Sequence, residues 1–175
     1  MAKSTRKLLI VVGISLLIAL FWDRVPIISQ TVHSVLDPSA GRLLDWSVNF
    51  GMVLFSGIIS LFIIIIQKYT TDQDLLRQIK KEQKLLQQEM KKFKDQPEKL
   101  LELQKKQFEF IPKTFDITMR PVMYTSVPII LFFRWFHDYF TMHEVEIFGF
   151  LGWFWAYLIL SIIFTTIFRK VFNVA

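Results

Sequence analysis

The sequence contains no cysteine and few of the motifs that build an enzyme's active site. Without cysteine the chain can form no disulfide bond, no thiolate nucleophile and no cysteine-ligated metal site. It also has no glycine-rich phosphate loop, no nucleophile–base pair and no HExxH helix. We therefore expect a protein that is not an enzyme and that uses no metal or other cofactor.

Charge is sparse over most of the chain and dense in its middle. The 175 residues are 53% hydrophobic, yet they carry 21 Lys and Arg against 15 Asp and Glu, a net charge of +6. Thirteen of the basic and nine of the acidic residues lie within residues 67–120. Because the remainder is largely apolar, the composition indicates an integral membrane protein.

Four apolar segments flank this charged region, at about 8–22, 46–66, 121–136 and 147–168. The second and the fourth have the ~20 residues that a membrane-spanning helix needs, whereas the first and third are shorter. The first segment follows Lys3, Arg6 and Lys7 as in a signal peptide, but no small residues form a cleavage site after it. We therefore favour an uncleaved anchor helix.

The basic residues predict the orientation of the chain. If the apolar segments cross in alternation from a cytoplasmic N-terminus, 18 of the 21 Lys and Arg fall on one side. Basic residues are retained on the cytoplasmic side of a membrane. We expect a multi-pass protein of the cell membrane, with both termini and residues 67–120 in the cytoplasm.

The predicted fold class is all-α. It comprises three core transmembrane helices, an additional N-terminal hydrophobic helix and a cytoplasmic antiparallel coiled-coil hairpin. In the exterior part of the N-terminal segment, apolar residues at helical spacing predict a short amphipathic helix, and Asp37 and Pro38 predict the N-cap and first residue of the next span. The predicted divisions are an N-terminal anchor and exterior segment (1–45), a core span (46–66), the hairpin (67–120) and two further core spans (121–175).

Apolar residues in the charged region recur at spacings of three and four, which is typical of a coiled-coil seam. The break at Asp95, Gln96 and Pro97 predicts two antiparallel arms rather than one long helix that dimerises between chains. Such a basic hairpin is a spacer or oligomerisation element, or it docks nucleic acid or the ribosome; composition favours neither. The predicted seam is Leu76, Ile79, Gln83, Leu86, Met90, Phe93, Leu100, Leu103 and Phe110.

Polar side chains form stripes on two of the predicted spans. In the second span four of them are separated by 7, 4 and 7 residues, which places them within ~20° of one line on a helix. A polar stripe on a spanning helix faces a neighbouring helix or water. The alternative is that the hydroxyl groups bond to their own backbone. The stripes are Asn49, Ser56, Ser60 and Gln67 in the second span, and Tyr157, Ser161 and Thr165 in the fourth.

Arg134 is the one charged residue inside the third apolar segment. In one interpretation its side chain reaches the outer headgroups and pairs with Asp138, four residues later. In the other it faces an aqueous cavity within the membrane.

Acidic and histidine residues gather in the following outer loop. They could bind a metal, but their spacing matches no ligand signature, so we interpret them as interfacial loop residues. They are His137, Asp138, His143, Glu144 and Glu146.

Three blocks of sequence, in order around the hairpin, carry a resemblance to a known family. Their order and spacing over residues 50–175 resemble the archaeal YidC-like proteins, a branch of the YidC/Oxa/Alb insertase superfamily. They are also similar to the insertase subunit of the endoplasmic reticulum membrane protein complex. The blocks are Lys68–Gln73 with Asp95–Gln104, then Arg120–Ile130, then Leu151–Tyr157 followed by Arg169 and Lys170.

The resemblance implies a membrane protein insertase or chaperone. Its three core spans would enclose a hydrophilic groove, open to cytoplasm and lipid, that eases the passage of client segments without nucleotide. Nascent membrane proteins and lipids are the implied partners, with the ribosome as a further candidate. The rival interpretation is a membrane-anchored coiled-coil scaffold or accessory subunit. The candidate groove-lining residues are the two polar stripes and Arg134.

Overall fold

The computed structural model describes residues 2–143 and 145–174, except for the side chains of residues 2–5. Its regular elements in this part of the chain are all helices, which confirms the predicted fold class at that level. In chain order they are α1 (Ala2–Phe21), α2 (Pro26–Leu36), a π-helical turn (Asp37–Gly41), α3 (Arg42–Trp46), α4 (Val48–Thr70), α5 (Gln73–Lys92), α6 (Pro97–His143) and α7 (Trp153–Val171).

Two helices, α4 and α7, are long and apolar enough to cross a membrane. Residues 6–21 of α1 and the run from α2 to α3 pass the same test as a pair, although they are bent by 91° against each other. Among the described residues, the C-terminal part of α6 does not pass, because Arg134 and Asp138 lower its hydropathy. The third core span therefore stays a prediction at this point.

Helices α4 and α7 run side by side in the same direction. At one end the backbone N–H of Phe148 donates to Asn49 Oδ1 at 2.7 Å, and at the other the Arg169 guanidinium donates to Gln67 Oε1 at 3.2 Å. We call the Asn49 end the outer end, following the predicted orientation. Because α4 and α7 are parallel, the chain between them must return to the outer end, and α6 is the helix that makes this return.

The core lies where α6 packs against α4 and the α3 segment. Trp135 and Phe136 of α6 are almost completely buried, as are Met52 of α4 and Leu44 of α3. Large aromatic and aliphatic side chains at helical spacing bury most area where they meet a second helix. This contact holds the outer halves of α4 and α6 together.

Helix α1 packs along the C-terminal half of α6. Its buried residues Leu8 and Ser15 are seven residues apart and share one helix face, and the buried Trp22 follows directly after the helix end. Trp22 and Asp138 are hydrogen-bonded, so the end of α1 lies beside the outer part of α6. The N-terminal helix is thus a packed part of the helical bundle as well as a hydrophobic segment.

The predicted helix start at Asp37 is wrong. Asp37 has helical backbone angles (φ −60°, ψ −47°) and continues from α2 into the π-helical turn. Pro38 removes one backbone N–H donor from this continuous run, and the helix adopts the wider π-helical hydrogen-bond pattern at this point. The break comes instead at Ser47 (φ −158°, ψ 106°), whose side chain accepts the Phe50 N–H and caps α4.

The predicted boundary at residues 120/121 does not interrupt the backbone helix. As predicted, α6 begins at Pro97, but it continues for 47 residues to His143. It contains Pro112, Pro121 and Pro128, each of which removes one backbone hydrogen bond. The second arm of the charged region and the third apolar segment therefore belong to one continuous helix.

Helix α5 packs against the N-terminal half of α6. Leu76 and Ile79 of α5 form a buried cluster with Ile117, against which Phe110 packs. All nine residues of the predicted seam are buried or half-buried. The seam side chains therefore face inward, while coiled-coil geometry for the pair stays a prediction.

Gly51 permits the close contact between α3 and α4. A Cβ at this position would lie 2.8 Å from Leu44 Cδ2 and 3.2 Å from Leu44 Cα, and Leu44 is completely buried. We expect Gly51→Ala to destabilise the fold by about 1–3 kcal/mol through overpacking, which exceeds the gain of roughly 0.5–1 kcal/mol in helix propensity. Thermal unfolding in detergent measures the change.

Gly57→Ala in the same helix is the matched control. Its Cβ would meet the Phe164 ring at 3.5 Å, an ordinary van der Waals distance. This variant should keep or raise the unfolding temperature, and equal behaviour of the two variants would contradict the packing argument.

Candidate functional site

Two serines of the predicted α4 stripe are buried within the described structure and lack hydrogen-bond partners there. Ser56 and Ser60 are 0% and 1% exposed, and neither Oγ has a partner in the described chain. Asn49 is exposed and holds the outer turn through the Phe148 N–H. Gln67 is half-buried at the opposite end. The middle of the stripe is thus polar and unsatisfied, while its ends are occupied by contacts with other elements.

The two serines lie between the contacts that α4 makes with α6 and with α7. Phe55 meets Phe136 of α6 with ring centroids 6.2 Å apart. On another side of α4, the position of a Cβ on Gly57 lies 3.5 Å from the Phe164 ring of α7. Ser56 stands between these two residues on the helix, and Ser60 follows one turn later. Both hydroxyl groups therefore point towards the junction of the three helices.

Helices α6 and α7 meet through aromatic side chains near their outer ends. The rings of Phe133 and Tyr157 are 5.0 Å apart, and those of Phe140 and Trp153 are stacked at 6.0 Å. Within the described structure, α6 and α7 pack less extensively against each other than α4 packs against either of them. The aromatic contacts close the outer end of the space between α6 and α7.

At the end opposite the outer end, α7 is joined to α5. The Arg77 guanidinium donates to the backbone oxygen of Asn173, and the Lys68 ammonium lies 5.6 Å from the Phe172 ring centroid. The end of α7 opposite the outer end is therefore held against α5 and α4.

Two further serines belong to the same region. Ser161 of α7 comes one turn after Tyr157, and Ser126 of α6 comes two turns before Phe133, so each shares a face with an aromatic residue of the α6–α7 contact. In the described chain, the buried Oγ of Ser126 lacks a hydrogen-bond partner. The Ser161 Oγ makes no well-formed hydrogen bond there, although it lies close to the Tyr157 hydroxyl. The sequence pattern predicted Ser161 but not Ser126, whose signal is its spacing of seven from Phe133.

We call Ser56, Ser60, Ser126 and Ser161 the serine strip. A buried hydroxyl group without a partner costs about 1–3 kcal/mol, so most buried polar groups in proteins are satisfied. Thr125 shows the usual solution, since its hydroxyl donates to the Pro121 backbone oxygen at 3.1 Å. In the described chain, three helices thus each carry at least one buried hydroxyl group without a hydrogen-bond partner.

The other predicted α7 residues lie at different levels. Tyr157 is 8% exposed and packs among the aromatic residues that close the outer end. Thr165, one turn beyond Ser161, is half-buried and extends the polar face towards the cytoplasm. Tyr157 therefore marks the end of the site, and Thr165 lies on its open side.

Arg134 lies on the α1 side of α6, not beside the serine strip. Its guanidinium donates to Asp23 Oδ2 at 2.8 Å and lies 5.8 Å from the centre of the Trp22 ring. The predicted pairing with Asp138 is wrong. Oδ2 of Asp138 instead accepts the Trp22 indole N–H at 2.6 Å and lies 3.2 Å from His33 Nε2, while the Arg134 guanidinium is turned to Asp23.

The sequence profile of the EMC3/TMCO1-like integral membrane proteins matches residues 34–175. The chain belongs to this family. No curated protein and no solved structure matches it. The matched range contains α4, α6, α7 and the whole serine strip, and it begins within α2. Helix α1 and Trp22 precede it.

Membership in the EMC3/TMCO1-like family indicates membrane protein insertion or a chaperone role in a membrane complex, since EMC3 is the insertase subunit of its complex. It also supports a multi-pass membrane protein. The predicted relation to insertases is confirmed at this level, while the archaeal YidC-like branch stays a prediction.

Of the acidic and histidine residues predicted in the outer loop of this EMC3/TMCO1-like chain, His137, Asp138 and His143 lie within α6 instead. Two other acidic residues, Asp37 and Asp45, accept hydrogen bonds from this helix. The Trp135 indole donates to Asp37 Oδ1 at 2.7 Å, and the Tyr139 hydroxyl donates to Asp45 Oδ1 at 2.6 Å. His143 lies 2.8 Å from the Tyr139 backbone oxygen. Glu144 lies outside the described residues. In the described part, no group of three such side chains is placed to hold a metal ion.

Proposed function

We propose that this chain is a membrane protein insertase, in which the space between α6 and α7 is a hydrophilic groove backed by α4. The observation that carries the proposal is the serine strip, because four buried hydroxyl groups from three helices have no partner in the described chain. Family membership in the EMC3/TMCO1-like proteins supports the same function.

The groove would act by lowering a solvation cost. A polar flank of a client that enters hydrocarbon loses its hydrogen bonds to water, at several kcal/mol for each unpaired group. Hydroxyl groups of the serine strip, and the water they hold, would replace part of that hydration, at a net ~0.5–1.5 kcal/mol for each bond formed. This requires no covalent step, nucleotide or metal, so we propose a non-enzymatic mechanism.

In this proposal the C-terminal half of α6 is the third core span. The parallel directions of α4 and α7 support it, since a crossing in the opposite direction must lie between them. The packing of α1 and α4 against α6 also supports it, because Arg134 and Asp138 are then paired with groups of α1 and its following loop. Both termini and the coiled-coil hairpin formed by α5 and α6 would be cytoplasmic.

Site-specific photocrosslinking to ribosome-bound nascent membrane proteins tests the proposal. A photoreactive residue at Ser161 or Thr165 should crosslink to the translocated flank of the client. The matched controls are Ile162 and Ile163, which are 60% and 48% exposed on other faces of the same helix. These should crosslink to lipid and give only background yield with the client.

The rival interpretation, a membrane-anchored scaffold, makes the opposite prediction. A scaffold needs the hairpin but not the serine strip, so all four positions should give the same background yield. That result, in reconstituted liposomes in which client insertion is otherwise observed, would contradict the insertase proposal.

A further inference from the structure

Five side chains at the outer end of the bundle form a continuous row of hydrogen bonds. The Trp22 indole donates to Asp138 Oδ2 at 2.6 Å, and the Trp135 indole donates to Asp37 Oδ1 at 2.7 Å. His33 lies between the two carboxylates. Its Nε2 is 3.2 Å from Asp138 Oδ2, and its Nδ1 is 3.0 Å from Asp37 Oδ1. We call Trp22, Asp138, His33, Asp37 and Trp135 the outer row.

The order of groups in the outer row requires a proton on His33. An indole N–H only donates and an ionised carboxylate only accepts, so both ring nitrogens of His33 must donate. A neutral imidazole has one N–H and would direct the lone pair of its other nitrogen at a carboxylate oxygen. The imidazolium has an N–H on each nitrogen, so it satisfies both contacts. The row is therefore complete only with one more proton than a neutral histidine supplies.

The surroundings of His33 favour its charged form. Burial opposes this form, since the side chain is 26% exposed. The hydrogen bonds to Asp138 and Asp37 outweigh burial, so the pKa of His33 is raised above its usual 6.5. His33 lies in α2, within the predicted exterior segment, where its partly exposed ring can exchange a proton with water.

Other titratable groups on α6 and on the segments packed against it make different contacts. These contacts are Arg134 with Asp23, His137 with Trp153, and Tyr139 with Asp45. None of the three pairs includes Asp37 or Asp138, so His33 is the basic group that lies between these two carboxylates.

The outer row contributes much of the attachment of α2 to α6. Helix α2 packs against α6 less extensively than α1 does. An apolar groove of about 310 Å³ runs between α2 and α6 and is lined by residues of both, among them Val35 and Leu131. Side chains along such a groove lose the dispersion contacts that close packing would give them. The two hydrogen bonds of His33 therefore carry a larger share of this contact.

We propose that the proton on His33 holds α2 against α6, and that α2 loosens from α6 when this proton is lost. The inference does not depend on the proposed function. A group whose pKa is raised by folding stabilises the fold fully below its unfolded pKa, and this stabilisation is lost as the pH rises through the folded pKa. The contact should therefore be firm below ~pH 6.5 and weaken towards alkaline pH.

Nitrogen NMR of the histidine-labelled full chain in lipid nanodiscs tests the protonation directly. The His33 signals are identified by their absence from His33→Lys. Their titration midpoint should lie above ~6.5 and should fall in Asp37→Asn, which removes one negative charge but keeps an oxygen for Trp135. A midpoint at or below ~6.5 in the wild-type chain would overturn the proposal.

The movement of α2 is measured by the distance between two spin labels. Because the chain has no cysteine, single cysteines at Gln30 of α2 and Met142 of α6, both exposed, can carry the labels. The distance distribution should broaden between ~pH 6 and ~pH 9, and the unfolding temperature should fall by about 2–4 °C. An unchanged distribution over this range would refute the proposal.

Two variants separate His33 from other titrating groups. His33→Lys keeps a positive charge over this pH range, so its distribution should stay narrow at both pH values. His137→Gln is the matched control, because His137 is exposed on α6 outside the outer row, and it should broaden as the wild-type chain does. Broadening in His33→Lys, or its loss in His137→Gln, would contradict the assignment to His33.

Discussion

Alanine in place of Ser56, Ser60 and Ser161 is expected to slow the insertion of a client with a polar translocated flank without weakening the fold. Each substitution removes a hydroxyl group that has no partner in the described chain and adds no volume. Loss of two or three hydrogen bonds of ~0.5–1.5 kcal/mol corresponds to about a fivefold or greater decrease in rate. The unfolding temperature should stay equal or rise, because buried unsatisfied groups disappear.

This combination of outcomes separates a functional role from a structural one. If the serines stabilised helix packing, alanine would lower both the insertion rate and the unfolding temperature. The measurement is insertion into proteoliposomes alongside thermal unfolding, with an apolar-flanked client that should insert at the wild-type rate. The control is alanine at Ser29, Ser34 and Ser39 of the α2 region, whose hydroxyl groups bond to their own backbone.

The result that would reject the groove is a triple variant that inserts polar-flanked clients as well as wild type. Leucine at these positions is a poorer test, because Ser56 and Ser60 are fully buried and a larger side chain would disturb packing. Asn49 is also unsuitable, since it binds the outer turn.

Trp22→Ala is expected to produce the largest loss of stability. Trp22 is 0% exposed, packs α1 against α6 and donates its indole N–H to Asp138 at 2.6 Å. Truncation of a buried tryptophan costs about 3–5 kcal/mol through lost contacts and a residual cavity. It also leaves Asp138 with His33 alone and uncovers one side of Arg134.

Thermal unfolding and protease access to α1 in lipid nanodiscs measure this effect. Trp22→Phe keeps an aromatic ring but removes the donor, so it should cost less than alanine. Trp46→Ala is the control, since Trp46 is 75% exposed and has the same side chain. Equal unfolding temperatures for Trp22→Ala and Trp46→Ala would show that α1 is not docked through Trp22.

Helix α1 explains how α6 can carry charge in a predicted span. Arg134 pairs with Asp23 and lies near the Trp22 ring, while Asp138 binds Trp22 and His33. Charged groups inside a membrane protein are retained where they are paired or hydrogen-bonded. The family match begins at residue 34, so the helix and loop that supply Trp22 and Asp23 precede the part of the chain that the family profile covers.

Helical periodicity predicted the features that depend on residues of a single helix. The spacing of three and four in the charged region predicted the inward-facing side chains of α5 and α6, since one helix face is determined by residues close in sequence. The same holds for Ser56 and Ser60, which share a face of α4 by a spacing of four. The helix start at Asp37 was predicted wrongly because a proline near a helix start is equally compatible with a continuing helical turn.

The sequence by itself determined the helical class, the two strongly apolar helices α4 and α7, the predicted orientation and the faces of individual helices. Only the tertiary structure decided which faces meet. It placed Arg134 beside Asp23, Asp138 beside Trp22, and Trp135 beside Asp37. The physical reason is that these contacts join residues roughly 100 to 120 positions apart, and neither helical periodicity nor charge spacing carries information over that separation.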